Sequence, residues 1–194
     1  MEQLEEQINR DIKEKLKENR YKHSLGVMEM AEELAKFYKL DLKKARLIGL
    51  AHDIAKQMTW EEINIYTQRF DIKLDELELN NRQLIHAKIG ADICKREYGF
   101  DEQMANAVLY HTTGHPDMDM MAKIIFIADK VEKTRDYEGV EERRKLAFDD
   151  IDRAIIETIN YTTKKCLEEG QLVHPNSIET RNKLLIMNKN IETE

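Results

Sequence analysis

The feature that most constrains this chain is a histidine–aspartate pair, His52-Asp53, closing the apolar run Leu47-Ile48-Gly49-Leu50-Ala51. An aspartate in such a run is costly to bury alone and needs a partner. Two more polar residues sit in comparable settings: His23, shortly before Val27 and Met30, and Asp129, directly after Ile124-Ile125-Phe126-Ile127-Ala128. Adjacent histidine and aspartate offer an imidazole nitrogen and a carboxylate oxygen to one cation. A metal ion drawing on His23, His52, Asp53 and Asp129 satisfies all four, so the fold must bring three separate segments to one point.

The spacing of apolar residues predicts an all-α helical bundle. Leu4, Ile8, Ile12 and Leu16 recur every four residues, the signature of an amphipathic helix. After a break near Asn19, a second helix is expected over 24–39, with His23 at its start. Asp41 can cap a third running to about Lys56, which places His52-Asp53 in its last turns. Thr59 and Glu62 read as a capping box opening a short helix. The polar stretch 71–80 reads as a surface loop. A helix over 82–98 carries His86 and stops at Gly99, and Asp101 caps the next, which ends at His111. Residues 112–116 form a loop containing His115, which has no assigned role. An apolar helix over 118–134 carries Asp129, a long helix covers 140–169 to Gly170, and His174-Pro175-Asn176-Ser177 caps the last. With only 7 Gly and 2 Pro, no strand pattern and no repeat, 1–194 is expected to form one domain. Its motif-bearing core covers 18–135, followed by C-terminal helices over 140–190.

The formal charge of -7 argues against a dedicated nucleic-acid binder. Cys94 and Cys166 make no disulfide or ligand framework and read as buried helix cysteines. The acidic N-terminus lacks an apolar signal core, and Ile124–Ala128 is too short to span a bilayer. A soluble cytoplasmic protein is expected, without a membrane partner; pairing with a second copy of the chain stays open.

Neighbouring helix residues diverge by about 100°, so His52 and Asp53 would grip an ion lying between their directions, or Asp53 would bridge two. Mixed imidazole and carboxylate ligands suit Fe, Mn, Co, Ni or Zn better than Ca or Mg. Such an ion lowers the pKa of bound water, neutralises phosphate charge and orients a target, as phosphoester or phosphoanhydride hydrolysis requires. His86 and His111 are candidates for a second metal, for phosphate contact or for proton transfer. Lys56, four residues beyond His52, can point to the same mouth. Arg20, three before His23, and Arg135, beyond Asp129, can grip phosphate oxygens in bidentate fashion.

The motifs Arg20-Tyr21-Lys22-His23-Ser24-Leu25-Gly26-Val27, Ala51-His52-Asp53-Ile54-Ala55-Lys56, His111-Thr112-Thr113-Gly114, Ile127-Ala128-Asp129-Lys130 and Leu172-Val173-His174-Pro175-Asn176-Ser177 together resemble the bacterial YqeK family. Its members are HD-domain symmetrical bis(5'-nucleosyl)-tetraphosphatases. The resemblance covers roughly residues 18 to 180. It implies an HD-domain helical bundle that splits diadenosine tetraphosphate in the middle into two ADP. It implies iron or a similar divalent ion, one or two in number, at His23, His52, Asp53 and Asp129. Nucleotide contacts are implied at Arg20, Lys56, His86, His111, Arg135 and the turn Leu172, Val173, His174, Pro175, Asn176, Ser177. Asp53, Lys56, His86 and His111 are the expected catalytic groups. Lys133 stands where the family pattern leads one to expect proline, which makes the reach of Arg135 a matter for the structure. Spacing and composition by themselves support hydrolysis of some phosphorylated substrate. An HD-type nucleotidase, a phosphodiesterase for a cyclic dinucleotide or alarmone, and a non-catalytic nucleotide-sensing module stay open on that ground.

Overall fold

A computed structural model describes residues 2–191; Met1 and residues 192–194 of the expected 1–194 unit lie outside the described residues. The described residues form eleven α-helices and no strand: α1 (Glu2–Lys15), α2 (Glu18–Phe37), α3 (Leu42–Ala51), α4 (Trp60–Phe70), α5 (Glu76–Asn80), α6 (Arg82–Tyr98), α7 (Glu102–Tyr110), α8 (Met120–Val131), α9 (Val140–Asp149), α10 (Ile151–Glu168) and α11 (Pro175–Ile191). Among them no helix is long and apolar enough to cross a membrane.

Helix α8 is the axis of the fold. It buries Met121, Ala122, Ile124 to Asp129 and Val131, so it is apolar nearly all round, and α2, α3, α7, α9 and α10 pack against it. Fully burying each Ile or Phe is worth about 1.5–3 kcal/mol. That surplus offsets the burial of Asp129 at the C-terminal end of the same helix. Helix α2 presents His23, Val27, Met30, Ala31 and Leu34 as one buried stripe, which aims His23 into the core alongside its apolar neighbours. Helix α3 lies close against α2 because Gly49 has no side chain: a Cβ there would stand 2.9 Å from the Met28 Cα. The close approach brings the His23 and His52 rings edge to face, with centroids 5.3 Å apart.

Several element boundaries differ from the expected ones, each for a local reason. Helix α2 starts six residues earlier than 24, because Lys17 is extended and its N–H donates to the Gln57 side chain at 2.5 Å. His23 therefore lies inside the helix. Helix α3 ends at Ala51, so His52 is its C-cap and Asp53 lies in the following turn rather than in the helix. The stretch read as a loop over 71–80 contains α5, nucleated by a capping box in which Asp75 and Glu78 bond each other's backbone N–H at 2.8 Å. The long helix over 140–169 is two helices: Asp150 turns extended, with φ at -157°, and its carboxylate accepts from Arg153 N–H at 3.0 Å to cap α10. The expected caps at Asp41, Thr59 and Asp101 are present.

Candidate metal centre

Six buried side chains from α2, the α3–α4 turn, α6, the end of α7 and α8 converge on one point. His23, His52, Asp53, His86, His111 and Asp129 are each at most 5% exposed. Asp53 is the pivot. Its Oδ2 faces His52 Nε2 at 3.4 Å and His23 Nε2 at 3.8 Å. Its Oδ1 faces His86 Nε2 at 3.1 Å and His111 Nε2 at 3.6 Å. Asp129 Oδ1 lies 2.9 Å from His23 Nε2 and 3.8 Å from His52 Nε2.

All four histidines turn the same nitrogen inward, because Nδ1 is occupied elsewhere. The Nδ1–H of His52, His86 and His111 donates to the carbonyl three residues earlier, of Gly49 at 2.7 Å, Gln83 at 2.7 Å and Val108 at 2.6 Å. Gly49 and Val108 are near the ends of α3 and α7, where carbonyls lack helical partners. His23 Nδ1 instead faces the Glu132 carboxylate at 3.0 Å. Bracing Nδ1 in this way fixes the tautomer and leaves Nε2 as a lone pair, the arrangement a metal-ligating imidazole needs. His86 Nε2 and His111 Nε2 lie 3.0 Å apart, two lone pairs that only a proton or a cation between them can reconcile. His52 Nε2 and Asp53 Oδ1 are buried without a hydrogen-bond partner. Orphaned atoms of this kind are rare in a native core. Two overlapping triads, His23-His52-Asp129 and His52-Asp53-His111, each place three ligand atoms within 4.8 Å of one another. The donor set fits a divalent ion.

Electrostatics agree. Burial would raise the carboxyl of Asp53, but the surrounding imidazoles of His52, His111 and His86 hold it well below the usual range. Burial opposes ionisation of Asp129 too, and Lys130, His23, His52 and Arg135 reverse it. Both remain carboxylates. Burial, then Lys56, pushes His86 down to about 3, and burial also lowers His111, so both are neutral ligands or proton acceptors. His23 moves the other way: burial lowers it, but the bonds to Asp129 and Glu132 outweigh that.

The expected cations surround this cluster. Arg20 Nη1 donates to Asp53 Oδ2 at 2.9 Å, and Arg135 Nη2 to Asp129 Oδ1 at 2.9 Å, so Arg135 reaches the site with Lys133 in the preceding stretch. Lys56 Nζ stands 3.3 Å from His86 Nε2 and 4.0 Å from Asp53 Oδ1. Lys56 follows a turn rather than a helix, yet points to the same mouth. The turn 172–177 does not touch the cluster directly. His174 and Asn176 line a cleft of about 350 Å³ that also includes Lys88, Tyr110, Thr112 and Thr113. Thr112 Oγ1 connects that cleft to the cluster, 3.1 Å from His111 Nε2 and 3.3 Å from His86 Nε2. Leu172 is exposed, and Ser177 Oγ donates to Thr113 O at 2.8 Å, tying the turn to the loop after α7. A larger cleft of about 1020 Å³ opens on the side of the cluster where Arg20 and His23 face Asp53 Oδ2, lined by Arg20, His23, Lys130, Arg135, Tyr137 and Tyr161 among others.

Sequence reasoning missed Glu132 and Lys130. Glu132 is fully buried and also accepts from Thr134 N–H and Oγ1, both at 2.6 Å. A Cβ on Gly26 would meet its Oε2 at 2.5 Å, so the glycine in the Ser24-Leu25-Gly26 motif makes room for the carboxylate. A glutamate three residues after Asp129, facing a glycine three after His23, was the available signal. Lys130 Nζ donates to Asp129 Oδ2 at 2.5 Å.

Comparison with known proteins places this cluster in a family. The HD domain family matches residues 20–134, which contain all six converging side chains. The symmetrical bis(5'-nucleosyl)-tetraphosphatase of Halalkalibacterium halodurans is 37% identical over 179 residues, 92% of this chain and 95% of that protein. That of Bacillus subtilis is 38% identical over 175 residues, 90% of this chain and 94% of that protein. A crystal structure of a predicted HD superfamily hydrolase involved in NAD metabolism from Clostridium acetobutylicum superposes with a TM-score of 0.89 at 39% identity, covering 94% of this chain and 97% of that one. With a buried His-Asp cluster inside the matched region and similarity running nearly end to end, the chain belongs to the HD-domain family of symmetrical bis(5'-nucleosyl)-tetraphosphatases.

Proposed function

We propose that this protein hydrolyses diadenosine tetraphosphate at its central anhydride, giving two ADP. The observation that carries the reading is the convergence of four inward-facing imidazole nitrogens on Asp53 and Asp129, with His52 Nε2 and Asp53 Oδ1 orphaned and three cations at the rim. His23, His52, Asp53 and Asp129 hold the ion, which we take to be iron, with Mn, Co or Ni able to replace it. When bound, it supplies an activated water and neutralises phosphate charge. The His52-Asp53-His111 triad offers room for a second ion.

The chain's own residues do the rest. Arg20, Lys56 and Arg135 grip the phosphate oxygens; in the free protein Arg20 and Arg135 rest on Asp53 and Asp129, ready to exchange a carboxylate for a phosphate. Water adds to one central phosphorus, the P–O bond to the bridging oxygen breaks, and that oxygen leaves with the second ADP. Charge grows on the bridging oxygen as the bond breaks, and preorganised cations there lower the barrier. His86 or His111, whose Nε2 is a free lone pair, first accepts the proton that the attacking water gives up and then passes it to that oxygen. The turn 172–177, through His174 and Asn176, contacts one nucleoside.

The test is product analysis after incubating metal-loaded protein with diadenosine tetraphosphate, alongside His52→Ala. Two ADP, lost in the variant, is the expected result. ATP plus AMP overturns the central cut, and no turnover with Fe, Mn or Co overturns the substrate assignment.

A further inference from the structure

A substrate split at its middle has two nucleosides, and the turn 172–177 serves only one. The carboxylate of Asp53 divides the centre into two sides. Its Oδ1 side, with His86 and His111, meets the smaller cleft through Thr112. Its Oδ2 side, with Arg20 and His23, opens into the larger cleft of about 1020 Å³. That volume is at the upper end of what a small-molecule site needs.

The far wall of the larger cleft is aromatic and built for rigidity. Tyr137 and Tyr161 stack with ring centroids 5.1 Å apart and planes 26° from parallel. Tyr137 OH donates to Lys130 O at 2.8 Å, which pins its ring beside the ligand-bearing end of α8. The Arg143 guanidinium lies 4.6 Å from the Tyr161 centroid, and its Nη1 donates to Glu138 O at 2.9 Å. Gly139, at φ +76°, leaves space for that guanidinium: a Cβ there would meet Arg143 Nη1 at 2.7 Å. Lys165 lines the same cleft and supplies positive charge. Phosphate-binding arginines at the inner end, a stacked aromatic wall and a basic residue make up the pattern by which proteins hold a nucleotide without reading its sequence.

We infer that the cleft between Arg135 and the Tyr137–Tyr161 wall is the subsite for the second nucleoside of a dinucleoside polyphosphate, with Tyr161 setting preference for two-nucleoside over one-nucleoside ligands. This rests on the function proposed above and extends it to the other half of the substrate.

The test measures binding of two probes to the metal-loaded protein: ADP, and a diadenosine tetraphosphate in which a methylene group replaces the central bridging oxygen. Tyr161→Ala weakens the methylene analogue about tenfold, the scale of one lost base–aromatic stack, and leaves ADP within about twofold. Tyr161→Phe keeps the stack and binds both like the wild type. Lys165→Glu, a change on an exposed helix position, weakens the analogue in the same sense without risk to the fold. The subsite is overturned if Tyr161→Ala and Lys165→Glu leave analogue binding unchanged, or if they weaken ADP by the same factor. A wild-type protein that splits diadenosine tetraphosphate while these variants show no analogue-specific loss disproves the subsite alone. Failure of the wild type to bind the analogue disproves the functional reading and the subsite with it.

Discussion

The two sides of Asp53 are braced in different ways. On one, His52 is held by the Gly49 carbonyl, but His23 is held by a side chain, Glu132, itself fixed by Thr134 and given room by Gly26. On the other, His86 and His111 are held by backbone carbonyls three residues back. A backbone brace is inseparable from the helix that carries it, and it leaves a neutral imidazole. A carboxylate brace adds charge: Asp129 first and Glu132 after it raise the basicity of His23, and with it the grip of that imidazole on a cation. One side is therefore suited to anchoring an ion, and the other to handling a proton or a more loosely held ligand.

The comparison is removed altogether by Asp53→Ala, which takes the pivot from both sides; metal binding and hydrolysis are both expected to be lost, as read by metal content and ADP release. His111→Ala breaks only the backbone-braced side. We expect kcat to fall by about 10²–10⁴, the usual share of a positioned acid or base. The His23-His52-Asp129 triad should meanwhile still bind one ion in a metal titration. Glu132→Gln acts on the other side alone and should weaken metal affinity by about 10- to 100-fold, visible as activity that returns at high metal concentration. Gly26→Ala forces the Glu132 carboxylate aside and should move metal affinity in the same direction by a smaller factor. Gly49→Ala presses α3 off α2 and should lower unfolding free energy by about 1–3 kcal/mol in a denaturant titration, with the smallest effect on the ion.

The convergence of His23, His52, Asp53 and Asp129 was legible because each is a polar residue in or beside an apolar helical run, where burial forces a partnership. His86 and His111 were legible as extras, though not the shared direction of their Nε2 atoms, which depends on helix ends that periodicity places only approximately. The break at Asp150 was hidden in a sequence whose acidic residues suit a solvated helix face equally well. Helix α5 was masked by polar composition, although Asp75 and Glu78 spell a capping box of the kind read correctly at Thr59 and Glu62. The Tyr137–Tyr161 wall was not legible at all: its members lie on either side of α9, and only the packing of α9 and α10 against α8 brings them together.

The orphaned nitrogen of His52 and oxygen of Asp53 have a thermodynamic corollary. Buried groups that find no partner within the protein destabilise it, and a ligand that partners them binds the native state alone. At free ion concentrations a hundredfold above its dissociation constant, such a ligand adds about 2.7 kcal/mol to the unfolding free energy. Chelation should therefore lower the melting temperature as well as the rate. In a cell short of metal, chaperones and proteases would then meet this protein more often, so its abundance would follow the supply of the ion.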